Sequence, residues 1–443
     1  MAQIVILGGG ESGVGAARLA QAKGHQVFLS DQGELKAIYQ AELNEYQIPF
    51  ETGTHTLERI LAADEIIISP GIPEKSELVQ AIKKQGISLI SEIEFAARYT
   101  DAKLIAITGS NGKTTTTLLT YHLLKEAGYQ VGLAGNIGHS FAKQVMEQSF
   151  DWYVLEISSF QLDRCFEFSP DIAVLVNITP DHLDRYDYKF ENYIHSKFRI
   201  FQNAKAANTC IYWGDDEVIQ QYKSLIPTDT QIQEIHFSPA QGSATITEEE
   251  IIFEDGSIQR ATAPIQGPHN AMNMSAAILA AKSAGVSWES IVKHLPSFQN
   301  APHRLEPCGN WQGVQFINDS KATNVDAVYY ALNSFTKPII LIIGGVDKGN
   351  DYRVLDELVK NRVKGIVCLG TDNSKLEAHF GKSVALFAQT NQLENAIKQA
   401  MAWAKSGDII LLSPACASFD LFKNYEDRGD QFKATVKHLI HGI

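Results

Sequence analysis

The stretch KLIAITGSNGKTTTTLLTYHLLKEAG at 103–128 sets the strongest limit on the fold. A short apolar, β-branched run passes through a glycine loop straight into a helix closed by glycine. A chain built this way packs as a parallel strand whose sheet is covered by helices. The N-terminus repeats the arrangement, with QIVIL at 3–7, GGGESG at 8–13 and AARLAQAKG at 16–24. QVFLSD at 26–31 and EIIISPGIP at 65–73 add two further strands. In the last third, VQFIND, KPIILIIGG, VKGIVCLG and DIILLSP show the same rhythm of strands ending in turns that precede helices. The segment 226–268 is polar and turn-rich; EEIIFED within it reads as a hairpin strand, and NAMNMSAAILAAKSAG as a helix with a C-terminal glycine.

A length of 443 residues exceeds what one hydrophobic core supports. The expected class is α/β with three domains: a Rossmann-like unit at 1–99, a central P-loop ATPase-like unit with a mostly parallel sheet at 100–299, and a second Rossmann-like unit at 300–443. Against 38 basic residues stand 51 acidic ones, a net charge of −13 that argues against a nucleic-acid or membrane-surface binder. Any anionic ligand must be held by local positive features. The five cysteines are scattered without a C-x-x-C pair, which favours a reducing compartment over disulfides or a thiolate metal site. No leader pattern opens the chain and no apolar run approaches the ~18 residues of a membrane span, so a cytoplasmic protein is expected.

The two glycine loops both read as phosphate grips, the plain alternative being a chance glycine turn before a helix. In TGSNGKTTT, Gly109 and Gly112 free backbone N–H groups to face an anion, Lys113 adds a mobile ammonium, and Thr114 or Thr115 offers a hydroxyl to Mg²⁺. Ile107 stands where the standard P-loop has its first glycine. The N-terminal loop fits G-x-G-x-x-G at Gly8, Gly10 and Gly13, and Asp31 ends the next strand where a ribose-binding acid belongs. That pattern alone suits NAD as well as any other nucleotide diphosphate. A dehydrogenase has no need of a P-loop, whereas an enzyme that phosphorylates a nucleotide-linked substrate needs two separate grips. Glu156 in YVLEISSFQL ends an apolar strand where a Walker-B acid holds Mg²⁺, the plain alternative being a helix cap or core carboxylate. NITPDHLDRYDYKFENYIHSKFRIF then brings Asp181 and His182, a candidate ligand of a second metal that taken singly is more often structural. Its helix carries Lys197 beside the apolar stripe Phe190, Ile194, Phe198 and Phe201, so the simplest alternative there is a surface lysine.

Together TGSNGKT, GNIG, EISSFQL, NITPDHLDRY, SKFRIF, GPHNAMN, HRLE, NDSKATN, GGVDKGND and LLSPACASFD closely resemble the Mur ligases of peptidoglycan synthesis, from the first loop to the last helix. The P-loop and D-H-L-D segments are shared with folylpolyglutamate synthases; SSFQL and SPACASFD point to the glutamate-adding branch. The resemblance implies an ATP-dependent ligase that phosphorylates the carboxylate of UDP-N-acetylmuramoyl-L-alanine and lets D-glutamate attack the acyl phosphate through a tetrahedral intermediate. It implies ATP contacts from Gly109, Asn111, Gly112, Lys113, Thr114, Thr115, Asn270, Arg304 and Asp319. Two Mg²⁺ ions are implied, with Thr114 and Glu156 serving the first, His182 the second, and Lys197 carried as a carbamate. Lys113, His182 and Lys197 are the implied catalytic residues. Around the UDP substrate stand Ser12, Asp31, Ser69, Gly71, Asn136, Ser158 and Gln161. D-glutamate falls to Lys321, Thr323, Lys348, Tyr425 and Ser418, the last read as opening a helix. Each of these lysines taken alone is most simply a solvated surface residue.

Gln32 and Gly33 follow Asp31 where the family pattern has threonine and arginine, so its uracil contacts do not carry over, and Glu11 adds negative charge inside the first loop. A monomer working on small molecules is expected, with domain closure over the reacting groups. The rival readings are another Mur branch or a folylpolyglutamate synthase, an NAD-dependent oxidoreductase, and a non-catalytic nucleotide-binding regulator.

Overall fold

The computed structural model describes residues 1–441. The chain forms two compact units: Met1–Pro264 with Met272–Phe298, and Ile265–Ala271 with Gln299–Ile443. The first unit holds two sheets and the second holds one.

The N-terminal sheet contains β1 (Gln3–Leu7), β2 (Gln26–Asp31), β3 (Phe50–Thr52), β4 (Glu65–Ile68) and β5 (Ser88–Ile90) in the order β3-β2-β1-β4-β5, all parallel. Ile4 to Leu7 are at most 1% exposed, which explains an apolar run rather than an alternating one. The connections leave β1 to opposite sides, so the loop after β1 and the turn after β4 meet at a topological switch point, where open α/β sheets bind ligands.

The second sheet runs β6 (Lys103–Thr108), β7 (Val131–Gly135), β8 (Trp152–Glu156), β9 (Ile172–Leu175), β10 (Thr209–Trp213), β11 (Gln231–Phe237), β12 (Ala244–Ile246), β13 (Glu250–Phe253) and β14 (Gly256–Gln259). Their order is β14-β13-β12-β11-β10-β9-β6-β8-β7, parallel except where β13 pairs with β12 and β14. The expected hairpin strand is β13; β11 and β12 escaped the sequence reading because β11 is mostly polar and only half-covered. Placing β6 between β9 and β8 puts the P-loop beside the ends of both neighbours.

Side chains from both sheets of this unit share one core, including Ile4, Leu19, Phe95, Phe141, Tyr153 and Leu155. Polar contacts fasten the same seam. Arg18 donates to Glu42 at 2.7 Å and Glu147 at 2.8 Å, and buried Glu94 accepts the backbone N–H groups of Phe166, Glu167 and Phe168, each at 3.0 Å.

The second unit has β15 (Glu306–Trp311), β16 (Val314–Asn318), β17 (Ile339–Ile343), β18 (Val363–Leu369), β19 (Leu386–Thr390) and β20 (Ile409–Leu412), ordered β15-β16-β20-β17-β18-β19. Only β15 is antiparallel, as a hairpin partner of β16. One expectation is corrected here. Ser418 does not open a helix; Leu421 N and Phe422 N return to its carbonyl in a single turn, and the helix starts at Tyr425. Asn424 is the reason, since its side chain accepts the N–H of Asp427 at 2.7 Å and so caps the helix there.

Candidate active site

The loop after β6 is shaped by its glycines and locked from β9. Gly112 has φ 88°, and a Cβ on it would lie 2.3 Å from Asn273 Oδ1. Asn177, two residues past β9, accepts the N–H of Asn111 and donates to its carbonyl, both at 2.9 Å. Ser110 Oγ donates to the Thr179 carbonyl at 2.9 Å. The helix Lys113–Glu126 begins directly behind, with Thr114 and Thr115 buried in its first turn. Backbone N–H groups and the positive end of the helix dipole thus form an anion cradle.

Two lysines converge on this loop. Lys113 Nζ donates to the carbonyls of Gly109 at 2.7 Å and Ser110 at 2.8 Å, and Lys197 Nζ donates to the same Gly109 carbonyl at 2.7 Å. Lys197 is 1% exposed, which removes the surface-lysine alternative. Burial drives its ammonium well below the ordinary range; Lys113 adds to the push, and Asp181, Asp163 and Glu156 oppose it. Glu156 is also buried. Its Oε1 accepts from Asn136 Nδ2 at 2.8 Å, while Oε2 has no hydrogen-bond partner, and an orphaned buried carboxylate oxygen fits a cation. His182 has φ 52°, its N–H donates to Asp181 Oδ1 at 2.8 Å, and its ring meets Phe160 edge-on at 5.1 Å. Among the described residues, no three His, Cys, Asp or Glu side chains are grouped to hold a metal ion by themselves.

Beside the switch point of the N-terminal sheet lies a cavity of about 340 Å³. Ser12, Ser69 and Gln161 line it together; Asp31, Gly71, Asn136 and Ser158 do not. Gly8, with φ 99°, lets β1 approach the turn after β4, since a Cβ there would lie 2.6 Å from Ser69 Cβ. Asp31 closes the glycine loop, accepting the N–H of Gly9 at 2.5 Å and of Gly33 at 2.7 Å. Glu11 turns its carboxylate to the N–H of Ser140 at 3.2 Å. Ser158 and Gln161 form a capping box for the short helix Ser159–Leu162.

In the second unit the loops after β16, β20 and β17 carry Lys321 and Thr323, Ser418, and Lys348. Because these strands are adjacent and parallel, the loops leave the same edge of the sheet. Lys321 Nζ lies 5.6 Å from the ring of Tyr425, Ser418 is buried and Lys348 is exposed. Asp319, directly after β16, accepts from Ser413 Oγ at 2.9 Å and from the N–H of Leu305 at 3.2 Å. Burial pushes its carboxyl up to about 6 against the opposing pull of Arg304. Burial, then Arg304, lowers the His269 imidazole to about 3. Asn270 donates to the Gln266 carbonyl at 2.8 Å, and Arg304 Nε is buried without a hydrogen-bond partner. These three expected ATP residues belong to the second unit or to the segment Ile265–Ala271 that packs with it, and the P-loop to the first.

Three family models match successive parts of the chain: a Mur ligase MurD-like N-terminal domain at 2–91, a Mur ligase middle domain at 107–281, and a Mur ligase glutamate ligase domain at 303–416. A UDP-N-acetylmuramoylalanine–D-glutamate ligase of Cytophaga hutchinsonii is 52% identical over 99% of both chains. The chain belongs to the Mur ligase family. A Mur ligase of the same name from Bacteroides fragilis is 48% identical over 99% of this chain and all of the relative. Among solved structures, the MurF ligase of Thermotoga maritima in complex with ADP shares the fold with a TM-score of 0.62 at 18% identity, covering 93% of this chain and 95% of that one. The UDP-N-acetylmuramate-alanine ligase MurC of the same organism gives 0.62 at 17% identity, over 99% of this chain and all of that one.

Several residues that shape the site of this Mur ligase were not read from its sequence. Asn177 brackets the P-loop, and its only signal is its place just past an apolar strand. Arg428, 1% exposed, donates to Ser320 Oγ at 2.9 Å, Ser320 O at 2.9 Å and Cys416 O at 3.2 Å, tying together the loops after β16 and β20. Phe160, Arg164 and Arg185 line the cavity. Nothing in a single sequence separates such arginines from surface ones.

Proposed function

We propose that this chain joins D-glutamate to UDP-N-acetylmuramoyl-L-alanine in a reaction driven by ATP. The observation that carries the reading is the convergence of Lys113 and Lys197 on one P-loop carbonyl, with Glu156 and Asp181 close enough to act on Lys197, beside a separate cavity at the neighbouring switch point for the nucleotide-linked acid. A carboxylate reacts poorly with an amine because oxide is a poor leaving group. Phosphorylation by the γ-phosphate of ATP makes an acyl phosphate, which the amine of D-glutamate attacks, and phosphate leaves.

In this reading Lys113, now spent on loop carbonyls, swings to the ATP phosphates when the triphosphate fills the cradle formed with Gly109, Asn111, Gly112, Thr114 and Thr115. Asn270, Arg304 and Asp319 complete the ATP side. Thr114 and Glu156 would hold a first Mg²⁺, and His182 and Lys197 a second. When bound, the ions offset charge as carboxylate approaches triphosphate. An ammonium at Lys197 would repel them. Its lowered proton affinity favours the neutral amine, which would combine with CO₂ and lose a proton to give an anionic carbamate next to Lys113. Ser12, Asp31, Ser69, Gly71, Asn136, Ser158 and Gln161 surround the UDP substrate. Lys321, Thr323, Lys348, Ser418 and Tyr425 receive the two carboxylates of D-glutamate. The division into 1–99, 100–299 and 300–443 follows these three tasks, and we place the enzyme in the cytoplasm as a monomer.

The test is ADP formation with UDP-N-acetylmuramoyl-L-alanine and a panel of amino acids. D-glutamate should stand alone. Equal turnover with another amino acid, or a nicotinamide-dependent absorbance change without ATP consumption, would remove the proposal.

A further inference from the structure

His182 is held in a stretch of unusual backbone. His182, Asp187 and Tyr188 have φ of 52°, 56° and 55°, left-handed values that non-glycine residues keep only where their surroundings impose them. Between them runs the single turn Leu183–Tyr186. Arg185, in that turn, supplies the restraint. Its Nη2 donates to the carbonyls of Pro70 at 3.1 Å and Ile72 at 3.4 Å, in the turn after β4 that starts with Ser69. Its guanidinium lies 4.5 Å from the centre of the Phe160 ring, and Phe160 in turn meets His182 edge-on at 5.1 Å and stacks on Tyr186 at 5.9 Å. A second anchor is the Lys75–Asp187 pair at 2.6 Å.

Ser69, Pro70, Ile72, Phe160 and Arg185 all line the cavity. A ligand seated against the Ser69–Ile72 turn therefore presses on the residues that orient His182. We propose that Arg185 is a positioning residue coupling occupancy of this cavity to the placement of His182, so that a bound acid adjusts the phosphoryl-transfer site. The inference rests on the cavity being the seat of the UDP substrate. The chemical gain is selectivity for the acyl acceptor: a His182 in its reactive placement without that acid would favour loss of the γ-phosphate to water.

The test uses the full-length protein, wild type, Arg185→Gln and Arg185→Lys. Calorimetry measures binding of UDP-N-acetylmuramoyl-L-alanine without ATP or metal, and nitrogen-resolved histidine spectra follow the His182 ring, assigned by its loss in His182→Asn. The ligand should shift the His182 signal in wild type. In Arg185→Gln the ligand should still bind, within about fivefold, while that shift falls by more than half. The kcat should drop about tenfold with KM for ATP within about twofold. Arg185→Lys keeps the charge but cannot both stack and bridge two carbonyls, so it should fall between. Undiminished His182 shifts in the variants, or KM values for all substrates rising together with a fall in Tm, would overturn the coupling in favour of a simple fastener. No binding to wild type in the calorimeter would instead sink the cavity assignment, and the coupling with it.

Discussion

In the proposed reading Gly112 and Lys113 carry the phosphate grip by different means, and each has its own test. Gly112→Ala forces a side chain into a left-handed backbone and onto Asn273, which should lower stability by about 2 kcal/mol in denaturant titration. Lys113→Ala leaves the backbone intact and should cut turnover by about 10²-fold or more with unchanged Tm; normal turnover would remove the ATP assignment. For Lys197, the carbamate reading predicts that Lys197→Ala is partly rescued by acetate, and that the intact native protein carries the added mass of CO₂. Absence of both would return Lys197 to a plain buried amine. Its burial was legible in principle, because it lies seven residues from Phe190 and so falls on the same helical face. What spacing does not contain is the Gly109 carbonyl that receives it.

Elements are joined here by buried polar contacts that no local pattern reveals. Glu94, in the helix Glu92–Ala97, satisfies three N–H groups of a segment more than seventy residues away. Glu94→Ala strands those donors and should cost about 3 kcal/mol, read as a lowered denaturant midpoint. At β10 and β11, the His236 imidazole lies 2.6 Å from Asp215 Oδ1 and 3.3 Å from Glu234 Oε2. Burial disfavours its charged form, but the two carboxylates outweigh this and raise its proton affinity above the ordinary value. A raised folded value means the contribution is complete below the unfolded pKa, about 6.5, and is lost as pH climbs through the folded one. The stability gap between wild type and His236→Asn should therefore be widest in mild acid and shrink toward alkaline pH. A gap that does not change with pH would show the carboxylate contacts to be unimportant, and one that grows with pH would show that folding favours the neutral imidazole instead. Strand identity was readable at strands buried on both faces such as β1, β6 and β17; buried β10 was not read, and half-exposed β11 and β19 escaped because tertiary cover rather than composition makes the strand.

Across the whole molecule, the proposed reading has two separate ligand sites. Each ligand at a hundredfold excess over its Kd should stabilise the protein by about 2.7 kcal/mol, and the increments should add. Thermal shifts that cancel when UDP substrate and ATP are combined would show one shared site. Lys113→Ala should lose the ATP increment alone. The chain's sharing of one core between its first two sheets was not visible in the sequence, which shows two strand–loop–helix starts but not that Leu19, Phe95 and Phe141 meet.

Glycines at turns, apolar runs and acids at strand ends are local, short-range signals, and they alone determined the α/β class, the two glycine-rich loops and the family. Which side chains face one another depends on strand order and on packing between segments far apart in the chain. Tertiary structure therefore decided that Lys113 and Lys197 share a carbonyl, that Glu156 keeps an unspent oxygen, that Ser418 lies in a turn, and that Arg185 links the switch-point cavity to His182.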